Sequence, residues 1–298
     1  MLLEQLQKNF SLSKAESISF IESAPNRYKF YNVKKRHGGE REIAEPTRTL
    51  KTLQLWAMNQ YLLDFDIHSS AIAYVKKKNI KDFVYPHTKN KYLLKLDFKD
   101  FFNSIKSHDF RLFLENTKFN LDDKEVDLLT KIFFCKNKKN GELYLSIGAP
   151  TSPFISNILM VEFDGAISSF CEKNDIVYTR YADDLAFSTN KPNTLHLIIN
   201  EVDNLCKKVK FPKKLSINRE KTVFTSKKHN RTLTGLVISN DGKIGIGREK
   251  KRKLRITAHK ASLGLLSELE LEKFKGMLAF LLSIDPNLSN YLKNKANL

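Results

Sequence analysis

Two adjacent carboxylates, Asp183 and Asp184, stand between two short apolar runs, Ile176-Val177-Tyr178 and Leu185-Ala186-Phe187. The pattern reads as a β-hairpin whose tight turn carries both acids. Neighbouring acids repel, and folding alone gives no reason to place them together. A divalent cation gives one, because hard metal ions take oxygen ligands and carboxylates supply them. Taken alone, such a pair is most often a solvated surface turn, so the rest of the chain has to supply a further acid and a substrate pocket. Asp97 is the candidate acid, at the end of the buried-type strand Leu93-Leu94-Lys95-Leu96. A core strand would exclude or pair such a residue. Asp100 is set by its spacing in the following turn, and Phe101 and Phe102 then offer flat apolar surface beside Asp97. Gly148-Ala149-Pro150-Thr151-Ser152-Pro153 reads as a rigid turn running into a helix, a shape suited to lining a nucleotide pocket with backbone groups. The chemistry these three segments could perform together is two-metal phosphoryl transfer.

The elements that must position them alternate between helix and hairpin. Residues 1–24 read as helical, and Tyr28–Val33 with Glu40–Ala44 as a hairpin turning through Gly38-Gly39. Apolar residues at helical spacing mark Leu50–Leu63; Tyr92–Leu96 is a strand; Ser107–Asn116 and Asp122–Phe134 are helices. A further helix starts after Pro153, and another covers Asn193–Val209. Strands are expected at Thr222–Thr225, Thr232–Ile238 and Lys243–Ile246. The last 50 residues read as helical, with a capping-box pattern at Ser267–Glu270. The expected fold class is α+β, built in layers.

The charge balance names a class of partner. Among 298 residues, 51 Lys and Arg face 33 Asp and Glu, a net charge of +18. A polyanion is the natural partner, and nucleic acid fits better than an anionic membrane because no basic amphipathic helix with an aromatic face stands out. The densest basic stretch, Arg248, Lys250, Lys251, Arg252, Lys253 and Arg255, follows the turn signal Asn240-Asp241-Gly242 and reads as a phosphate-binding helix. No apolar run approaches the roughly 18 residues needed to span a bilayer, and the N-terminus has no apolar signal core. A cytoplasmic protein without membrane contact is expected. Cys135, Cys171 and Cys206 have neither metal-ligand nor disulfide spacing and read as small buried hydrophobes.

The order and wording of these segments resemble the palm of reverse transcriptases. Leu96–Ile105 looks like the first catalytic motif, Gly148–Pro153 is similar to the Gly-x-x-x-Ser-Pro motif, and Tyr181-Ala182-Asp183-Asp184 is similar to the Tyr-x-Asp-Asp signature. Upstream, Lys34–Ile43 resembles the fingers motif in which a Lys and an Arg hold the triphosphate; downstream, Asn218–Thr222 resembles the motif that presents a Lys near the leaving group. The match runs from about residue 28 to 247. Each motif is weak alone, and five in this order are specific. Leu233-Thr234-Gly235 followed by Ile244–Arg248 narrows the resemblance to bacterial retron reverse transcriptases. So does Ala71–His87, similar to the retron insertion although only the His of its Asn-Ala-x-x-His wording is kept. Ile147 stands where most relatives have Gln.

The resemblance implies a right-hand polymerase. Residues 1–90 would be N-terminal helices and fingers. Residues 91–240 would be a palm of antiparallel sheet and helices, with fingers elements interleaved at about 107–150. Residues 241–298 would be a small, basic, helical thumb that grips RNA. It further implies that Asp97, Asp183 and Asp184, with the carbonyl of Phe98, bind two Mg²⁺ ions. Lys35 and Arg41 would neutralise the triphosphate, with Lys34 as the competing choice for Lys35. Phe102 would be the steric gate against a ribose 2′-OH, Gly148 and Ala149 would line the nucleotide pocket, and Lys221 would support pyrophosphate. Tyr181, Ser152, Pro153, Thr234 and Gly235 would meet primer or template. The implied partners are deoxynucleoside triphosphates, a structured noncoding RNA primed from an internal 2′-OH, its branched RNA–DNA product, and a separate effector protein in antiphage defence. Group II intron-like or diversity-generating reverse transcriptases are the alternatives within the fold; the short stretch after Gly247, without a Cys/His cluster, argues against an intron enzyme. An idle RNA-binding scaffold is the alternative outside it, disfavoured because clustered acids without a metal are unfavourable.

Overall fold

The computed structural model describes residues 2–34, 38–117 and 121–298. The N-terminal stretch is two helices, α1 (Leu2–Phe10) and α2 (Lys14–Ser23). Ser11 breaks them with φ 52, and Ser13 starts the second through a reciprocal capping box with Glu16. β1 (Tyr28–Lys34) and β2 (Glu40–Pro46) form the expected antiparallel hairpin, with Lys34 opposite Glu40. α3 (Arg48–Tyr61) buries Leu50, Leu53 and Ala57. A long connection then leads through the short α4 (Ile80–Val84) to β3 (Tyr92–Asp97).

After β3 come α5 (Phe101–Ser104), α6 (Ser107–Glu115), α7 (Asp123–Phe133) and the small pair β4 (Cys135–Lys136) and β5 (Leu143–Tyr144). α8 (Ser152–Leu159) and α9 (Val161–Lys173) precede the hairpin β6 (Val177–Tyr181) and β7 (Asp184–Thr189). α10 (His196–Lys208) and β8 (Val223–Ser226) follow. The central sheet has the order β6-β7-β3-β8, and its pairings are antiparallel.

Side chains alternate across a strand, and this alternation divides the core. Leu94, Leu96, Leu185 and Phe187 point to one face, into a cluster with Ile155, Ile158 and Phe163 of α8 and α9 and Val202 of α10. Leu93 and Ala186 point to the other face, into a second cluster with Ile72, Phe83 and the C-terminal helices. Asp97 and Asp184 share the parity of Leu93 and Ala186, so the acids belong to the face opposite α8 and α9.

The stretch expected as one strand, Thr232–Ile238, is two: β9 (Arg231–Leu233) and β10 (Leu236–Ile238), followed by β11 (Ile244–Gly245). Thr234 (φ 45) and Gly235 (φ 86) make a two-residue turn with both φ positive, the geometry that matches strand twist in a hairpin. The C-terminal residues fold as α11 (Arg248–Ser262), α12 (Glu268–Ile284) and α13 (Pro286–Lys295), with the expected capping box between Ser267 and Glu270. Phe274, Leu281, Ile284 and Leu292 bury against Leu233, Leu236 and Ile238. Among the described residues no single helix is long and apolar enough to cross a membrane; α8 and α9 qualify as a pair, but they bend by 51° and supply core residues.

Candidate active site

The sheet register sets the three aspartates. Asp97, the last residue of β3, lies directly opposite Asp184, the first of β7. The Phe98 amide donates to the Asp183 carbonyl at 3.0 Å, and the Asn218 amide donates to the Asp97 carbonyl at 2.7 Å. The hairpin turn is tight because Ala182 adopts φ 57. Asp100 also has positive φ, is exposed, and opens α5, away from the register that joins the other acids.

Burial and mutual repulsion act on the turn. Burial, then the Asp97 charge, push the Asp183 carboxyl above its ordinary range, opposed in part by Lys221 and Arg41. Burial, then Asp183 and Asp97, push Asp184 up to about 7, opposed by Lys221 and Lys95. Lys221 donates to both oxygens of Asp97, at 2.9 Å each. As they stand, no three His, Cys, Asp or Glu side chains among the described residues enclose a common point. The donor set nevertheless fits hard divalent cations: carboxylates brought together on facing strand ends, with an ammonium already on Asp97 as a stand-in cation.

The surrounding residues fall into place around this turn. Arg41, on β2, is exposed, and its charge reaches Asp183. Lys35 lies outside the described residues. Phe102 is half-buried, 5.4 Å from Phe101, while Phe98 and Phe101 stack in the core. Tyr181 is half-buried with its ring 5.6 Å from that of Phe83. Gly148 (φ +127) presses on β2: a Cβ there would meet the Ala44 carbonyl oxygen at 2.9 Å. The Ile147 carbonyl accepts from the Ala44 amide at 2.9 Å, joining this loop to the β1–β2 hairpin. Gly148 and Pro150 are exposed, Pro153 is half-buried, and Ala149, Thr151 and Ser152 are buried, so the loop presents Gly148 and Pro150 to solvent.

Sequence reading missed two groups. Arg180 and Asp164 are fully buried and joined by a guanidinium–carboxylate fork. Arg180 Nη1 donates to the Ala182 carbonyl at 3.2 Å, inside the turn that carries Asp183. A signal was available for Asp164, which falls on the same buried helical stripe as Ile167 and Cys171. The other group is Tyr74, whose ring lies 6.5 Å from that of Phe102. No local pattern marks it.

Residues 33–238 match the family model described as reverse transcriptase (RNA-dependent DNA polymerase). The chain is 40% identical over 278 residues, 92% of its own length and 89% of the relative's, to the retron Ec83 reverse transcriptase of Escherichia coli. It belongs to the retron reverse transcriptases. Identity to the retron Ec73 reverse transcriptase of Escherichia coli is 32% over 288 residues, 93% of this chain and 89% of that one. Among solved structures, apo telomerase from Candida tropicalis shares the fold, with a TM-score of 0.50 at 15% identity. That match covers 73% of this chain and spans about half, 48%, of the telomerase chain. This retron reverse transcriptase is thus an RNA-directed DNA polymerase with an α+β polymerase fold.

A second feature of the reverse transcriptase is an open groove of about 1510 Å³ beside the C-terminal helices. Lys81, Lys227, Lys228, Gly235, Arg248 and Lys250 are among its lining residues. On α11, Lys251 pairs with Asp285 at 3.2 Å, Lys253 with Glu249 at 2.9 Å, and Arg255 lies over the Tyr291 ring at 6.0 Å. Arg248, Lys250 and Arg252 are exposed, as is Thr234. His87 ties the segment before β3 to the β6–β7 hairpin, bonding Ser188 Oγ at 2.7 Å and Thr179 Oγ1 at 2.8 Å.

Proposed function

We propose that this reverse transcriptase binds a structured noncoding RNA and copies it into DNA from an internal 2′-OH, leaving a branched RNA–DNA hybrid. The observation that carries the reading is kinship with retron enzymes over nearly the whole chain, at 40% identity to one of them. The basic groove between Lys81, Lys227 and α11 supports an RNA partner, held by backbone and shape because A-form grooves hide base edges. In this reading residues 241–298 act as thumb, 91–240 as palm, and 1–90 with part of 107–150 as fingers.

Asp97, Asp183, Asp184 and the Phe98 carbonyl would hold two Mg²⁺ ions. Bound there, the metal would lower the pKa of the attacking hydroxyl and stabilise the leaving pyrophosphate. Arg41, together with Lys35, neutralises the triphosphate, Arg through its planar fork. Lys221, already beside Asp97, supports charge on the leaving group. Gly148 and Ala149 line the nucleotide pocket, Phe102 excludes a ribose 2′-OH, and Tyr181 packs at the primer end. Thr234, Gly235 and the α11 cations contact template RNA, with Ser152 and Pro153 shaping the helix beneath. The enzyme works in the cytoplasm, and its product is coupled to a separate effector protein in antiphage defence.

The test is to express the gene with several hundred base pairs of flanking DNA and sequence the nucleic acid bound to the purified protein. Short DNA joined to RNA by a 2′,5′ branch, lost in Asp183→Ala, is the expected result. Unbranched DNA primed from a 3′ end would retain the polymerase and discard the 2′-OH priming. RNA without DNA, even with Mg²⁺ and deoxynucleotides added, would discard synthesis altogether.

A further inference from the structure

Tyr74 is 53% exposed, yet its backbone sits at φ 63. A bulky residue in the left-handed region is strained, where glycine or asparagine would rest without difficulty. Such strain persists where the surroundings over-determine it, and it gathers at functional sites. Here the surroundings are well defined. The carbonyl of Ala73 accepts from Asn157 Nδ2 at 2.9 Å in the protein interior. The Ile72 amide donates to the Arg180 carbonyl at 2.9 Å, and the Arg180 amide donates to the Ser70 carbonyl at 2.8 Å. The segment before Tyr74 therefore runs parallel to β6 and is fixed to the catalytic hairpin. Lys78 Nζ closes the loop on the carbonyls of Ser69 and Ala71.

This anchoring delivers an aromatic ring to the active site rather than to the core. The Tyr74 ring meets Phe102 edge-on, at 6.5 Å and 61°. The charges of Asp183 and Arg41 both bear on its phenol. Phe101 holds Phe102 from the buried side at 5.4 Å; Tyr74 holds it from the exposed side. We propose that Tyr74 is a specificity-determining residue that buttresses Phe102 and so fixes the ring that rejects a ribose 2′-OH. The inference rests on the reading of Phe102 as sugar gate and adds that the gate has two aromatic parts, one from α5 and one from the loop before α4.

The experiment compares incorporation of deoxyribo- and ribonucleotides on an RNA template with an ordinary 3′ primer, in wild type, Tyr74→Asn, Tyr74→Phe and Phe102→Ala. Tyr74→Asn is expected to lower the ratio of kcat/KM for the two sugars by about tenfold, the size of one edge-to-face contact. Its thermal midpoint should stay near wild type, because asparagine tolerates the left-handed backbone. Tyr74→Phe should keep the discrimination, since the ring makes the contact. If Phe102→Ala relaxes selectivity and Tyr74→Asn does not, the inference is overturned while the gate stands. If Phe102→Ala leaves selectivity intact, the gate reading itself falls. An equal loss of affinity for both sugars in Tyr74→Asn would also overturn the inference, making Tyr74 a general nucleotide contact.

Discussion

Lys221 donates to both carboxylate oxygens of Asp97, at 2.9 Å each, while its own side chain remains 57% exposed. An ion pair open to water on one side contributes about 0–1 kcal/mol to stability. Its place beside Asp97, at the carboxylate cluster proposed to hold metal, therefore speaks for chemistry. Lys221→Met should keep its thermal midpoint and lower kcat on the order of 100-fold, the scale of a positioned proton donor or charge. Single-turnover incorporation beside a melting curve reads both. A variant that melts early and turns over normally would reduce Lys221 to a structural pair.

The three aspartates oppose one another in the absence of a cation. Burial and repulsion raise Asp183 and carry Asp184 to about 7. Asp184→Asn removes one of the repelling charges, so the metal-free variant should melt above wild type while incorporation nearly vanishes. A bound ion at 100 times its Kd adds about 2.7 kcal/mol of stability. Mg²⁺ should therefore raise the melting temperature of wild type and leave Asp184→Asn nearly unmoved, with RNA binding retained in both. Equal stabilisation of the two proteins would place the ion elsewhere.

What the sequence made legible follows from how local the signals are. The Asp183 hairpin, the β3 strand ending at Asp97 and the Ser267 cap are short-range patterns, in which alternation, turn chemistry or a Ser-x-x-Glu spacing decides the structure. The register that faces Asp97 with Asp184 follows once both strands end in acid at the same face. The β9–β10 turn was hidden because Thr234 is not a residue expected at positive φ. Tyr74 was hidden for a related reason: its place is set by Asn157 and Arg180, distant in sequence, which hold its loop. The break between α1 and α2, absent from the reading of residues 1–24 as helical, did have a local signal, the Ser13 and Glu16 capping box.

The Arg180–Asp164 pair joins stability to the geometry of the Ala182–Asp183 turn. Both side chains are 0% exposed, and Tyr178 donates to Asp164 at 2.7 Å. Removing one partner strands a buried charge, which destabilises by about 3–5 kcal/mol. Asp164→Leu or Arg180→Met alone should thus unfold at much lower denaturant. The double substitution should recover much of that loss, since well-packed apolar groups replace buried pairs at little expense. Activity should stay low in the double variant, because the Ala182 carbonyl and Asn157 Oδ1 both lose the Arg180 donor. Full recovery of kcat alongside stability would show that Arg180 does not position the turn.

His87 adds a pH dependence that has nothing to do with catalysis. Fully enclosed between Ser188 and Thr179, its imidazole is pushed by burial from an ordinary 6.5 down to about 3. The unfolded chain binds a proton at this residue below pH 6.5, whereas the folded protein does not until about pH 3. The folded state therefore has its full stability above pH 6.5 and loses it progressively as the pH falls from 6.5 toward 3, by up to about 1.4 kcal/mol per pH unit. His87→Asn is expected to be less stable at neutral pH, having lost one of two buried hydrogen bonds. It should also show a shallower decline in acid. Urea midpoints of both proteins between pH 5 and 8 give the difference curve. A difference that stays flat below pH 6.5 would mean that His87 takes up its proton in the fold, which requires the Ser188 hydroxyl to turn its proton away from Nδ1, since Thr179 Oγ1 already donates to the Phe83 carbonyl and accepts from Nε2.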